Sequence, residues 1–223
     1  MVRFLRHARA ACRVFAILGS LPLVAGGCRN APADPPRPSV EEAPPAAPGT
    51  SEVAGRLERR PGGATPIVTL EPHAPLDVPL PAGPAEMDQY GRTFIPRLLV
   101  VRAGQTVRFK NSENELHNVN VTDEGGVTIF NVGMPILGGT FDHRFDRAGD
   151  YAVRCNVHQE MAATISVTAS PFAAVADREG RFILSGVPYG VYDLVVRRGA
   201  EREARVVDVA APRTEIVEQE SAP

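Results

Sequence analysis

The chain has 223 residues, 24 Lys and Arg against 26 Asp and Glu, a net charge of −2, and no Trp. That length holds one or two domains, and the near-neutral balance gives no basis for nucleic-acid binding. With 20 Gly and 21 Pro, the composition suits short strands joined by turns better than long helices.

Arg3, Arg6, Arg9 and Arg13 flank and precede an apolar stretch, residues 14–27, too short to span a bilayer as a mature helix. It ends in Ala25-Gly26-Gly27-Cys28. The pattern resembles a bacterial lipoprotein signal, in which the Cys becomes the acylated first mature residue; Ala25 stands where that motif usually has Leu. Residues 1–28 are therefore expected to be a lipoprotein-type signal peptide with Cys28 as the lipidation site. The alternative is an ordinary secretory signal cleaved nearby. Either way the mature protein is exported to the periplasm, tethered to a membrane in the first case. Cys12 leaves with the signal and lipid caps Cys28, so Cys155 remains as the one thiol and no internal disulfide can form. A lone thiol in an oxidising compartment is a liability that metal binding removes.

Residues 29–50, rich in Pro, Ala and Glu, read as a linker. Short strands are expected near 53–57 and 67–70, a loop over 71–85, and mostly loop with a short strand over 87–96. From residue 98 the pattern has period two. Val107 and Phe109 alternate with Arg108 and Lys110. His117, Val119 and Val121 share one strand face, and Asn118 and Asn120 the other. A strand over 127–132 leads to a Gly-rich loop with an exposed apolar tip, Met134-Pro135-Ile136-Leu137. Strands follow at 141–145 and 151–155, the second with Tyr151, Val153 and Cys155 on one face. His143 shares a face with Phe141 and Phe145 and reads as a partly buried structural residue. Ala163, Ile165 and Val167 form the inward face of the next strand. Regular short strands of this kind predict an all-β fold, with a β-sandwich over 51–169. Residues 170–212 carry four more strands. About 40 residues make a small independent core, so this unit is expected to pack on the first sandwich or to borrow strands from 51–70. Residues 213–223 are expected to form an acidic, frayed tail.

The chemistry concentrates in YAVRCNVHQEMAATISV, residues 151–167, where Cys155, His158 and Met161 are spaced by three. Thiolate, imidazole and thioether are soft ligands that select copper over magnesium or calcium. A trigonal site needs a second imidazole, and NSENELHNVNV, residues 111–121, offers His117. Alternation points His117 and Cys155 inward. Three ligands then come from one strand-to-strand loop and the fourth from the start of a neighbouring strand. That frame predicts one type 1 (blue) copper carrying single electrons, with Met161 as a weak axial ligand. Met161 is also a reasonable core position, which leaves Gln159 and Glu160 as rivals for the fourth place. His73, in a Pro-rich loop, is assigned nothing. Haem attachment would need Cys-x-x-Cys-His, and a binuclear copper centre two site cysteines. Multicopper oxidases and nitrite reductases need more histidines than the five present. A structural zinc site would make odd use of Met161.

The same stretches resemble the cupredoxins, the plastocyanin and amicyanin group of small blue copper proteins. The resemblance rests on His117-Asn118, Cys155-x-x-His158 and the downstream Met161, and covers about residues 87–168. The three-residue step from His158 to Met161 is the short, amicyanin-like loop. Val157 stands where a Pro often precedes the second His, and Gln159 where amicyanin has Pro. The resemblance implies a Greek-key sandwich and no enzymatic activity. It makes Asn118 the residue whose hydrogen bonds tie the two ligand loops together. It also implies a transient redox partner, such as a c-type cytochrome or a periplasmic dehydrogenase, docking at His158. Within 170–212, ADREGRFILSGVPYGVYDLVV resembles a carboxypeptidase regulatory-like (transthyretin-like) β-module, a structural or interaction unit. The competing functions are a copper-delivery lipoprotein without electron transfer, and a metal-free, adhesin-like surface protein.

Overall fold

The computed structural model describes residues 49–58, 60 and 62–217. The expected signal segment, Cys28, nearly all of the expected linker and residues 218–223 lie outside the described residues. Every regular element among the described residues is a β-strand. They form four sheets, which pair into two sandwiches.

The first sandwich surrounds the candidate ligands. One sheet runs, in spatial order, β5 (Leu98–Arg102), β11 (Ala162–Thr168), β10 (Gly149–Arg154), β7 (His117–Thr122) and β8 (Thr128–Met134). The other runs β4 (Thr93–Ile95), β3 (Ala85–Tyr90), β6 (Gln105–Asn111) and β9 (Thr140–Phe145). Two neighbouring pairs, β5/β11 and β3/β6, are parallel, so the chain crosses between the sheets. Period-two alternation drives both layers. Val107 and Phe109 from β6, Val119 and Val121 from β7, Val153 from β10 and Ile165 from β11 are fully buried between them. Each such side chain contributes roughly 1.5–3 kcal/mol when removed from water.

The second sandwich pairs a sheet of β13 (Arg181–Pro188), β1 (Thr50–Arg56) and β16 (Arg213–Val217) with one of β12 (Phe172–Val175), β2 (Ile67–Pro72), β14 (Gly190–Arg198) and β15 (Glu201–Val209). Its core is built on Val53, Val68, Leu70, Val187, Tyr192, Leu194 and Val209. Two expectations are corrected here. Strands β1 and β2 do not belong with the ligand-bearing sandwich, as a domain over 51–169 would have them; the C-terminal unit borrows them, the other arrangement expected for so small a unit. They pair with the C-terminal strands, β1 central in its sheet and β2 between β12 and β14. Nor are residues 213–217 a frayed tail: they form β16, which pairs parallel to β1 and buries Ile216. The reason is the size of the C-terminal unit, whose strands need the N-terminal pair to close two facing sheets. Gly55 permits the β1/β16 approach, because a Cβ there would sit 2.6 Å from the Ile216 carbonyl oxygen.

Residues 87–96 also differ from the sequence expectation. They form most of a β3–β4 hairpin with Tyr90 opposite Thr93. The two-residue turn is Gly91-Arg92, both at positive φ (63° and 50°), the conformation that suits a tight hairpin.

The two sandwiches meet at one end of β10. There Arg197 of β14 bonds Asp150 and the Ser166 hydroxyl. Ser166 is consequently buried, although alternation along β11 places it on the outer face. Cys155 follows the opposite end of β10, about 16 Å away at ~3.3 Å per residue. The second sandwich therefore leaves the ligand-bearing end uncovered.

Candidate metal centre

Cys155 leaves β10 and enters a tight loop back to β11. The Cys155 N–H donates to the Met161 carbonyl (3.2 Å), and the Met161 N–H to that of His158 (3.0 Å). These bonds fold the seven residues so that the Cys155 and His158 side chains converge. His117 opens β7, the neighbour of β10, and reaches the same point. One nitrogen each from His117 and His158 and the Cys155 sulfur all lie within 4.8 Å of one another. The two Nδ1 atoms face each other at 3.1 Å, and the Cys155 Sγ lies 3.9 Å from His158 Nδ1. Cys155 is a free, buried thiol and the His117 side chain is fully buried, while 15% of the His158 side chain remains exposed.

Met161 is fully buried in the same core cluster as Cys155. Its rivals Gln159 and Glu160 are exposed. The histidines not assigned to the site stay away from it. His73 pairs with Asp193, and half-buried His143 packs between Phe130 and Phe145. Burial pushes the His143 imidazole below its ordinary pKa, with Asp146 opposing.

Asn118 makes the link expected of it. Its Oδ1 accepts from the backbone N–H of Asn156, the residue after Cys155, and its Nδ2 donates to Asn131 Oδ1 at 2.6 Å. Its carbonyl accepts from the buried Gln89 amide of β3 at 3.1 Å. The start of β7 and the 155–161 loop are thus fixed to each other.

Four residues around the site were not singled out from the sequence. Asn111, fully buried at the end of β6, organises the loop before His117. Its Nδ2 donates to the Glu115 and Met134 carbonyls, and its Oδ1 accepts from the Glu113 N–H. Glu113 then places Oε2 3.0 Å from His117 Nε2. Hydrogen bonds from the backbone N–H groups of Arg92 and Gly91, and from His117, hold the Glu113 carboxyl below its usual range, against a smaller upward push from burial. Glu115 lies 3.6 Å from His158 Nε2 and is gripped by both Nε and Nη2 of Arg92. The signal available for the first two was Asn-x-Glu, in which an Asn side chain caps a turn two residues on.

A carboxylate only accepts hydrogen bonds, so the His117 Nε2 carries the proton and leaves the Nδ1 lone pair free toward Cys155 and His158. The inner donors are one thiol sulfur and two imidazole nitrogens, with a thioether buried nearby and every carboxylate on the outer side. That soft and borderline set fits copper.

Exposed apolar side chains flank the candidate ligands along the chain: Leu116 precedes His117, Val157 precedes His158, and Ile136 and Leu137 follow Met134, the β8 partner of His117. Met134 is not among them. It is buried at the end of β8, opposite His117, so the expected apolar tip begins at Pro135.

Residues 85–168 match the family described as copper binding proteins, plastocyanin/azurin family. The chain is 33% identical over 90 residues to plastocyanin of Vicia faba, a match covering 36% of the chain and 90% of that protein. The chain belongs to the plastocyanin/azurin family. It is also 34% identical over 90 residues to chloroplastic plastocyanin of Pisum sativum, across 36% of the chain and 53% of that protein, and so spans about half of the latter's length. Solved structures similar to part of it include a purple cupredoxin from Nitrosopumilus maritimus (25% identity, TM-score 0.34, 38% of this chain and 99% of that one). A mutant of amicyanin in its Cu(I) form is another (22% identity, TM-score 0.36, 45% of this chain and 98% of that one). Family membership rests on the sequence relatives. All three converging side chains of this plastocyanin/azurin member, and Met161, fall inside the matched segment.

Proposed function

We propose that this protein carries single electrons through one type 1 copper, held by His117, Cys155 and His158 with Met161 as the weak fourth ligand. The observation that carries the reading is the convergence of one thiol and two imidazoles within 4.8 Å, in a chain of a copper-binding family. Copper bound there supplies a one-electron Cu(II)/Cu(I) couple. The protein's own part is to fix the donors. Loop hydrogen bonds and the Asn118–Asn156 bond set Cys155, and Glu113 sets the His117 tautomer. The buried positions of Cys155, His117 and Met161 keep water off three of the four donors. His158 is the exposed edge, and the apolar rim of Leu116, Ile136, Leu137 and Val157 suits brief docking of a redox protein such as a c-type cytochrome or a periplasmic dehydrogenase. In this reading the protein is a carrier and not an enzyme.

In the same reading it works in the bacterial periplasm, on a lipid anchor at Cys28 with residues 29–50 as spacer, a reading supported by the signal-like sequence of residues 1–28. The second sandwich serves as a transthyretin-like structural or interaction unit, attached away from the copper end.

Titration of the apoprotein with Cu(II) tests the reading. One equivalent should give an intense thiolate-to-copper charge-transfer band that Cys155→Ala abolishes. Colourless Cu(I) binding with rapid release to a chelator would point instead to copper delivery, and no stoichiometric metal would exclude both.

A further inference from the structure

The turn between β3 and β4 reaches both histidines through carboxylates. The Arg92 backbone N–H donates to Glu113 Oε2 at 3.0 Å, and the same oxygen meets His117 Nε2 at 3.0 Å. The Arg92 guanidinium forks onto Glu115, at 3.0 and 3.1 Å, and Glu115 Oε2 lies 3.6 Å from His158 Nε2. One residue thus addresses the outer nitrogen of each imidazole by way of a different acid. Arg92 also sits at φ 50°. A non-glycine there costs of order 1 kcal/mol or more, so a turn selected for stability alone would carry Gly or Asn.

We propose that Arg92 is a positioning and charge-setting residue for the two copper histidines, acting through Glu113 and Glu115. This rests on the copper reading above. Its backbone pins the carboxylate that fixes the His117 tautomer. Its guanidinium neutralises Glu115, so the exposed His158 edge faces a balanced pair and not a bare negative charge. Without that guanidinium, Glu115 is free to bond His158 Nε2, which favours the more positive oxidised site. Because 56% of the Arg92 side chain and 42% of the Glu115 side chain are exposed, the pair adds little to stability and its effect is screened by salt.

The test uses the copper-loaded full chain at low ionic strength, with Arg92→Met, Glu115→Gln, the double variant and Arg92→Lys. Arg92→Met should shift the one-electron equilibrium about tenfold toward the oxidised form, a fall in midpoint of about 59 mV. Glu115→Gln should shift it the opposite way. The double variant should return close to the parent, because the two opposite shifts cancel, and Arg92→Lys should restore part of the shift. A merely structural role moves both single variants in the same direction or not at all, and that result overturns the proposal. A second readout needs no copper. In the apoprotein, 15N NMR of the imidazoles should show His117 protonated at Nε2, and His158 ring shifts that move in Arg92→Met and move less in Arg92→Lys. Unmoved His158 shifts overturn the clamp even if copper binds, whereas failure of copper binding alone overturns only the copper reading.

Discussion

Asn118 on β7 accepts a hydrogen bond from the backbone N–H of Asn156, the residue that follows Cys155. A side chain adjacent to one candidate ligand thereby fixes the loop that holds the three others. Asn118→Ala should cost about 0.5–1.5 kcal/mol, since it removes the part-buried hydrogen bonds to the Asn156 N–H and to Asn131. Copper affinity should fall 10–100-fold, the usual effect of losing a group that orients ligands. Competition with a chelator measures it, and unchanged affinity would show that the loop holds its shape by Cys155–Met161 bonding alone.

The contact between the sandwiches depends on Arg197 and Asp150, about one-third exposed each (30% and 33%). Burial pushes the Asp150 carboxyl up, but hydrogen bonds from Arg197 and Ser166 outweigh it and leave it below its ordinary value. A depressed carboxylate stabilises the fold above its unfolded pKa, near ~3.9, and the contribution is lost as pH falls through the lower folded value. Arg197→Met should destabilise the protein by about 1.5–3 kcal/mol at pH 7 and bring acid unfolding to higher pH. The copper absorption should stay as it was, because Asp150 and Cys155 lie at opposite ends of β10. A changed band would mean that the second sandwich shapes the metal site.

His143 lies half-buried between Phe130 and Phe145, at ring-centroid distances of 4.6 and 4.8 Å. Burial lowers its pKa, so below about pH 6.5 the unfolded chain takes up a proton that the folded protein resists. Stability therefore declines as pH drops from ~6.5 toward the folded pKa, by under about 1 kcal/mol after solvent screening. His143→Phe should remove this part of the slope in urea unfolding at pH 7.5 and 5.5. An equal slope in the variant would show that other groups carry it.

Leu137 is 60% exposed and Ile136 65% exposed, in the loop that follows Met134, the β8 partner of His117. Leu137→Lys should leave copper content and midpoint unchanged while slowing electron exchange with a redox protein about fivefold or more, the effect of losing roughly 1 kcal/mol at an interface. Stopped-flow reduction by a c-type cytochrome reads it. An unchanged rate would remove this rim from the docking surface.

By itself the sequence determined the all-β class and the candidate donors, because both are local. Alternation gives each strand an inner and an outer face, and Cys155, His158 and Met161 sit in one loop whose spacing needs no partner to be read. His117 joined them through the inward face it shares with Val119 and Val121. Tertiary structure decided what depends on pairing between distant segments. Strands β1 and β2 follow the C-terminal strands because two facing sheets there need them, and β16 is ordered by β1. Met134 is buried because β8 lies against His117, a register its own sequence does not specify. The outer contacts of the histidines are of the same kind. Nothing in Gly91-Arg92 or in Glu113 and Glu115 reads as part of a metal site until the parallel β3–β6 pairing and the loop held by Asn111 bring them together.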